Sequence, residues 1–307
     1  MNHNIHSNYS KQLLHQTIEK IDGAYAPSTI RAYREDFEDL IKFAESHNQS
    51  ALPAACQTIT SFIQHLIKRG KKSASIRRAV AGISSIHTLS GEPDPTKAID
   101  VKLTLRRMHR AIGRFSHQAL GITKEKLDAL LAVTDKNLRG CRDRALLMTA
   151  YDTLCRRSEL LSLRVEDIDE QLINHQKHTV IFLRRSKTDQ DAHGKWLPIS
   201  EKTSKVIAEW LNQSQMKSGL LFRGVDRANR LTEKLDNSQL AKIYKKLAKK
   251  AEFNEEEIKG ISGHSTRVGA AQDLLLSGAS LAIIMNKGRW SKTDTVMRYV
   301  EKIGIPI

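Results

Sequence analysis

The sequence has few cysteines, no long apolar run and no common nucleotide-binding motif. Its three cysteines, Cys56, Cys141 and Cys155, show no Cys-x-x-Cys spacing, so neither a disulfide framework nor a thiolate zinc site is indicated and a reducing compartment is expected. No apolar stretch of about 18 residues or more occurs, which argues against a membrane-spanning helix. Both Gly-x-x-x-x-Gly-Lys and Gly-x-Gly-x-x-Gly are missing, so no nucleotide cofactor is indicated.

Convincing metal-binding clusters are also missing from the sequence. The most acidic run, residues 166–170, is interpreted as a solvated turn. His175 and His178 are interpreted as ordinary residues at the edge of a strand. We therefore expect no metal ion and no cofactor.

Positive charge, by contrast, is abundant. Fifty Lys and Arg against 34 Asp and Glu give a formal net charge of +16 and a pI near 9.8. Residues 1–118 hold 17 basic and 10 acidic side chains and residues 119–307 hold 33 and 24, so both parts carry the excess. This balance favours a polyanionic partner, although a generically basic protein is an alternative.

Apolar residues recur with helical spacing through the first third of the chain. The pattern predicts helices at 28–47, 59–67, 75–89 and 101–115, with a break around Gly91 and Pro93. Residues 1–10 are polar, and residues 1–18 are expected to be a disordered lead rather than a targeting signal. We predict a helical, basic domain at 19–115 and a linker at 116–121.

Residues 122–307 are predicted to form a second domain that is mostly helical with a small antiparallel sheet. Strands are expected at 178–183 and 195–199, joined by a polar hairpin connection. Helices are expected after Thr123 and at 142–152, 158–163, 202–213, 237–251, 264–277, 280–287 and 293–302.

The C-terminal part of the sequence brings a potential nucleophile close to side chains that can bind phosphate. His264 and Arg267 lie three residues apart at the start of a predicted helix, where free N–H groups and the positive end of the helix dipole favour an anion. Tyr299 follows Trp290 by nine residues. Each has an ordinary alternative: a surface or capping pair for the first two residues, and packing positions for Trp290 and Tyr299.

Two upstream positions carry further charged groups. Arg156 precedes a short predicted helix, and Glu159, three residues later, is placed to orient its guanidinium group. The alternative is an exposed helical ion pair, which would contribute little. Lys187 lies in the polar connection between the two predicted strands, where a solvated lysine is equally expected.

Six of these side chains, taken in chain order, match the active-site pattern of one known family. They are Arg156, Lys187, His264, Arg267, Trp290 and Tyr299. In these residues and in the neighbouring segments 150–154 and 262–271, the chain resembles the tyrosine recombinases, or phage integrase family, and most closely their Cre-like branch. The resemblance covers about residues 20–303.

The resemblance implies an architecture of two domains that form a clamp around DNA. Residues 19–115 would be an all-helical, SAM-like core-binding domain, and residues 122–307 an α+β catalytic domain. The chain would be a site-specific recombinase that acts as a homotetramer on double-stranded DNA with inverted-repeat sites, monomeric or weakly associated when free, in a bacterial cytoplasm and encoded by a plasmid or phage. Relaxation of DNA in the manner of a type IB topoisomerase and a catalytically silent DNA-binding regulator are the alternatives.

The resemblance also implies a role for each residue of the pattern, with neither metal nor ATP. Tyr299 would attack a phosphodiester to give a 3′-phosphotyrosine and a free 5′-hydroxyl. Arg156 and Arg267 would hold the non-bridging oxygens. His264 and Trp290 would assist, Lys187 would protonate the departing oxygen, and Glu159 would position Arg156.

DNA contacts are expected on four helical segments. These contacts are assigned to Arg31, Arg34, Lys72, Ser75, Arg77, Arg78, Arg106, Arg110, Ser238, Gln239 and Lys242.

The sequence departs from the wider family at two places. Position 290 is Trp where many members have His, which favours the Cre-like branch. The chain also ends eight residues after Tyr299, which is short for the C-terminal helix that family members dock into a neighbouring protomer.

Overall fold

The chain divides into two compact units, Met1–His117 and Gln118–Ile307. The computed structural model describes residues 2–114, 118–173, 175–186 and 193–300, without the side chains of residues 2–7, Ile173 and Val300. Each unit has a hydrophobic core of its own, so each is described separately.

The first unit is all-helical in its described part. Its apolar residues repeat every three or four positions and meet in a core that includes Phe37, Phe62 and Ile83, all fully buried. A short 3₁₀ helix, Pro95–Lys97, precedes the last helix. The helices are α1 (Asn2–Lys20), α2 (Pro27–Ser46), α3 (Cys56–Lys68), α4 (Ser73–Leu89) and α5 (Ile99–Ile112).

The expectation of a disordered lead over residues 1–18 is wrong for its described residues, because α1 is a helix that packs on the core. Leu14 and Ile18 are buried, and Thr17 Oγ1 lies 2.7 Å from Ser90 Oγ at the end of α4. The segment is polar on average, since only one face of the helix is apolar. Average polarity therefore concealed a narrow buried stripe.

The second unit is mostly helical around a three-stranded antiparallel sheet. The prediction of a mainly α fold with a small antiparallel sheet is confirmed. The strands are β1 (Ile168–Ile173), β2 (Gln176–Leu183) and β3 (Lys195–Pro198), in the order β1-β2-β3. The helices are α6 (Lys124–Ala132), α7 (Leu138–Thr153), α8 (Arg157–Leu160), α9 (Glu201–Ser214), α10 (Asn237–Lys250), α11 (Glu255–Gly260), α12 (Ser265–Leu276), α13 (Leu281–Gly288) and α14 (Thr293–Val300).

Strand β1 corrects the interpretation of residues 166–170 as a solvated turn. Val165–Asp167 form a 3₁₀ helix. Strand β1 begins at the next residue, Ile168, which lies opposite Ile181 of β2. The strand was missed because its polar residues, Asp169 to Gln171, hide the alternation of an edge strand. Asp167 is buried and accepts hydrogen bonds from Arg184 instead of facing solvent.

Helix α7 is the centre of the second unit and positions the residues that follow it. It packs against both α9 and α12, and most of its residues are buried. It ends at Thr153, and the next residue, Leu154, adopts a left-handed conformation with a φ of +50°, which turns the chain before Arg156. The start of α12 is fixed by Gly269, because a Cβ there would lie 1.9 Å from the carbonyl oxygen of Ile122. Close packing thus sets the position of α12, which carries Arg267, against the segment that precedes α6.

No helix in the described part of the chain combines the length and the apolar character that crossing a membrane requires.

Candidate active site

Arg156 and Glu159 form a buried ion pair at the end of α7. Arg156 is the residue before α8, and Glu159 accepts its backbone N–H at 2.9 Å and its Nη1–H at 2.7 Å. The Glu159 side chain is only 3% exposed, so the pair is not the exposed helical contact that was the alternative. Burial alone would raise the pKa of Glu159, but its bonds to Arg156 and the charge of Arg289 outweigh this and lower the pKa below its ordinary value.

Arg267 is fully buried near this pair but has no carboxylate partner among the described residues. Its guanidinium donates to two backbone carbonyls, that of Leu154 and that of Gly288, the latter at 2.5 Å. Burial, together with the charges of Arg156 and Arg289, lowers the pKa of Arg267 to about 10. The group is still a cation at neutral pH, and it gains most from an anion that approaches it.

The Trp290 ring lies between Arg267 and Tyr299. Arg267 Cζ is 4.2 Å from the centroid of the indole, and the phenol ring of Tyr299 is 5.5 Å from it at an angle of 51°. Gly288 makes room for the indole, because a Cβ there would lie 2.0 Å from Trp290 Cζ3. The structure therefore brings three of the predicted side chains into one stack, with Trp290 itself buried.

Helix α14 carries Tyr299, and its backbone is tied to α12. Gln272 Nε2 on α12 donates to the carbonyl oxygen of Tyr299 at 3.0 Å. The fully buried Val296 belongs to the same small cluster as Trp290, against which Tyr299 packs. A tyrosine whose ring is half-buried and stacked in this way is held near the arginines by both its backbone and its ring.

His264 precedes α12 and completes the group. Its side chain is exposed in part, yet loss of hydration and the charges of Arg267, Arg157 and Arg156 lower its pKa below the ordinary value. The imidazole is therefore neutral at pH 7, with one ring nitrogen free to accept a proton or hydrogen bond.

Arg289 is a charged residue of this site that sequence reasoning missed. Its side chain is 6% exposed and donates from Nη2 to Glu159 Oε2 at 3.0 Å. Nη1 donates to the carbonyl oxygen of Thr153 at 3.1 Å. No periodic or motif signal marked it among fifty cations, because its partners lie more than a hundred residues away in the sequence.

Lys187 lies outside the described residues. The two ends of its connection do reach the site: Ser186, Gly194 and Lys195 line a pocket of about 360 Å³ together with Arg289 and Trp290. Lys195 Nζ donates to the Asn286 carbonyl oxygen at 3.1 Å, which ties the start of β3 to α13.

The assembled site has three guanidinium groups, those of Arg156, Arg267 and Arg289, around one carboxylate, that of Glu159. Positive charge therefore remains after internal pairing. A phosphate is the kind of ligand that suits buried guanidinium forks, because each fork can donate two parallel hydrogen bonds.

Comparison with known proteins shows which family the chain belongs to. Residues 121–303 match the profile described as Phage integrase family, and residues 19–89 match that described as Phage integrase, N-terminal SAM-like domain. The chain belongs to the phage integrase family. The resemblance inferred from the six-residue pattern is thereby confirmed.

Relatives of this phage integrase family member match nearly the whole chain. An integrase/recombinase XerD homologue of Selenomonas ruminantium is 29% identical over 92% of this chain and 84% of its own length. The Cre recombinase of Escherichia phage P1 is 26% identical over 84% of this chain and 79% of its own.

Solved structures with this fold include a lambda integrase (residues 75–356) dimer bound to a COC′ core site. That structure has a TM-score of 0.65 at 14% identity and covers 97% of both chains. XerH recombinase bound to palindromic difH substrate has a TM-score of 0.64 at 16% identity and covers 94% of this chain and 80% of its own.

In the first unit of this integrase family member, all of the predicted DNA-contacting residues are exposed. The N-terminus of α4 and the C-terminal turns of α5 lie together, since Ser73 Oγ and His109 Nδ1 are 3.1 Å apart. Partial loss of hydration and the charges of Arg114 and Arg77 lower the pKa of His109, which marks a positive surface there. The exposed residues are Arg31, Arg34, Lys72, Ser75, Arg77, Arg78, Arg106 and Arg110.

Arg78 is exposed like the other residues, and its guanidinium also forms an ion pair within the unit. Nε and Nη2 each donate to a carboxylate oxygen of Asp36 on α2, both at 2.8 Å, and this bond raises the pKa of Arg78. The fork ties α4 to α2, but the side chain is still 54% exposed, so the contact of Arg78 with DNA stays a prediction.

In the second unit the predicted contacts lie on α10. Asp236 caps this helix by accepting the N–H of Ser238. Ser238, Gln239 and Lys242 are all exposed on its first turns, while Leu240 and Ile243 face the core. The helix therefore presents a polar face beside a buried one.

Proposed function

We propose that this member of the phage integrase family is a site-specific DNA recombinase that cuts and rejoins DNA through a 3′-phosphotyrosine on Tyr299. The observation that carries the proposal is the stack of Arg267, Trp290 and Tyr299 beside the Arg156–Glu159 pair. A tyrosine, two guanidinium forks and an imidazole with a lowered pKa lie in one partly buried, positively charged region.

The cleavage step is a transesterification. The Tyr299 phenol oxygen attacks phosphorus while the bond to the 5′-oxygen breaks, and the phosphate passes through a five-coordinate state with more negative charge. Arg156 and Arg267 stabilise that charge more than they stabilise the ground state, and the Trp290 N–H assists them. His264 is neutral at pH 7 and therefore suited to help remove the phenolic proton.

The departing 5′-oxygen takes a proton, and Lys187 is the donor that we assign to it. The ester energy stays in the phosphotyrosine, so the 5′-hydroxyl of a second strand can attack the phosphorus and release Tyr299. Rejoining is the reverse of cleavage, with one ester bond formed for each one broken. The exchange consumes no nucleotide and no metal ion takes part in the steps written here.

We further propose that two domains hold the DNA as a clamp, with residues 19–115 as a core-binding domain and 122–307 as a catalytic domain. The exposed cations of α2, α4 and α5 support the first assignment, and the polar face of α10 supports the second. A homotetramer on two inverted-repeat sites, as the Cre-like resemblance implies, completes the proposal. The λ integrase and XerH structures described above are themselves complexes with DNA.

A nicked duplex tests the chemistry. A binding site selected from a random-sequence duplex pool is synthesised with a nick near the expected cleavage position, so that the released fragment diffuses away and the adduct accumulates. Wild type is expected to form a covalent protein–DNA band on a denaturing gel. Tyr299→Phe should abolish the band, whereas Tyr9→Phe, which removes an exposed phenol in α1, should leave it unchanged. A band that persists in Tyr299→Phe contradicts the nucleophile assignment.

A supercoiled plasmid with two copies of the selected site tests the outcome of the reaction. Recombination yields deletion or inversion products that a restriction digest reveals. Loss of supercoils without such products would instead support a topoisomerase-like enzyme.

A further inference from the structure

Arg289 occupies a backbone position that suits glycine better than arginine. Its φ of +55° and ψ of +50° lie in the left-handed region, where a Cβ is unfavourable. Its side chain is nevertheless buried, and its Nε–H has no hydrogen-bond partner among the described residues. The turn after α13 would therefore form more easily with glycine, which suggests that the side chain serves another purpose.

The contacts of Arg289 close a ring around Glu159. Arg289 Nη2 donates to Glu159 Oε2 at 3.0 Å, and Glu159 Oε1 accepts from Arg156 Nη1 at 2.7 Å. Arg156 Nη2 in turn donates to the backbone oxygen of Arg289 at 3.3 Å. Each member of the ring holds the next, so the orientation of the Arg156 fork depends on Arg289 as well as on Glu159.

The remaining donors of Arg289 join two segments that are distant in the sequence. Nη1 donates to the Thr153 carbonyl oxygen at 3.1 Å and Nη2 to the Leu154 carbonyl oxygen at 3.2 Å, both at the end of α7. The Leu154 oxygen also accepts from Arg267. Trp290 follows Arg289 directly, so the same turn carries the indole that stacks on Arg267 and Tyr299.

We propose that Arg289 is a positioning residue of the active site, which fixes Glu159, and through it the Arg156 guanidinium, against the turn that carries Trp290. This inference rests on the proposed function. Arg289 acts through Glu159, and its removal affects the rate of cleavage and not the binding of DNA.

The experiment compares full-length variants on the selected nicked duplex. Arg289→Gly removes the side chain and suits the left-handed backbone, and Arg289→Lys keeps the charge but not the fork. Arg227→Gly, in an exposed turn of the same unit, is the matched control for a lost charge. Single-turnover rates of covalent adduct formation and dissociation constants for the duplex are measured separately, and thermal melting checks that each variant folds.

We expect Arg289→Gly to slow adduct formation on the order of 10²-fold, as displacement of a catalytic group by about 1 Å can do. The dissociation constant should stay within about twofold of wild type, because no DNA contact is removed. Arg289→Lys should recover part of the rate, and Arg227→Gly should match wild type. If Arg289 only stabilised the fold, Arg289→Gly would lower the melting temperature but would not slow adduct formation while leaving the dissociation constant unchanged.

A double-mutant cycle tests the route through Glu159. In a Glu159→Gln background, Arg289→Gly should cause little further loss of rate, since the group through which it acts has lost its charge. An equal fold-loss in both backgrounds overturns the proposal, and so does a wild-type rate in Arg289→Gly. Absence of any adduct with the wild-type protein is a separate outcome, which refutes the proposed function and this inference with it.

Discussion

Arg156 and Arg267 present the same group to one site but are held there by opposite means. Arg156 is bound by the carboxylate of Glu159 at 2.7 Å, which neutralises much of its charge and fixes its direction. Arg267 is held by two carbonyl oxygens and the face of Trp290, with no carboxylate among its described contacts. The Glu159 side of the site therefore contributes orientation, while the Trp290 side contributes unneutralised charge that a phosphate can stabilise.

The largest effect should come from replacing the unneutralised cation. Arg267→Met keeps the side-chain volume and removes a buried charge, so we expect adduct formation to fall about 10³-fold. The melting temperature should fall less than in Glu159→Gln, because removal of a buried charge without a carboxylate partner offsets the loss of its hydrogen bonds to two carbonyl oxygens. Gel assays on the nicked duplex measure adduct formation, and thermal melting measures stability. A large loss of stability would show that Arg267 is structural and end the contrast with Arg156.

On the other side of the site, stability and activity should fall together. Glu159→Gln leaves Arg156 and Arg289 without their anion and should lower the free energy of unfolding by about 3 kcal/mol, as expected when one partner of a buried pair is removed. Urea unfolding at pH 7 measures this loss. Glu233→Gln, an exposed glutamate of the same unit, should change the stability little.

The pH dependence of that loss follows from the lowered pKa of Glu159. A carboxylate whose folded-state pKa lies below its unfolded value stabilises the fold above the unfolded pKa of about 4.3, and this contribution is lost as the pH falls through the folded pKa. The difference in stability between wild type and Glu159→Gln should therefore shrink below about pH 4. A difference that stays constant down to pH 3 would contradict the assigned pairing.

A smaller effect is expected for Trp290→Phe. Phenylalanine keeps a ring between Arg267 and Tyr299 but lacks the indole N–H, so adduct formation should fall about tenfold with little change in DNA affinity. Trp290→Ala also removes the ring, so its rate of adduct formation should be lower still and its melting temperature should fall. Equal rates for the two variants would mean that the N–H matters and the stack does not.

The smallest effect concerns His264, whose pKa is lowered by its surroundings. Because burial and the neighbouring arginines lower the pKa of His264 below its ordinary value of about 6.5, protonation of the imidazole should slow cleavage with a midpoint below that pH. A rate profile between pH 5 and 8 should show this fall. His264→Gln, which cannot be protonated, should react slowly at every pH and show no such fall in rate at low pH.

Local patterns in the sequence predicted much of the fold. The helices at 28–47 and 75–89 begin within two residues of the observed α2 and α4, since both have a regular apolar stripe. The six-residue pattern identified the family because it combines positions spread over 144 residues, from Arg156 to Tyr299. Arg289 and the Arg78–Asp36 pair were not predicted, because long-range polar contacts leave no periodicity in the sequence. Strand β1 was not predicted either, because it is recognised by its pairing with β2 and not by a pattern in its own sequence.

The hydrogen bond from Gln272 to the backbone oxygen of Tyr299 has a consequence for the reach of the nucleophile. While that bond holds, the main chain of Tyr299 cannot swing away from α12, and the phenol oxygen moves only by rotation about its two side-chain torsions. The arc that those rotations describe limits where a phosphorus atom must lie to be attacked. One glutamine amide thus limits the positions that the Tyr299 phenol oxygen can reach.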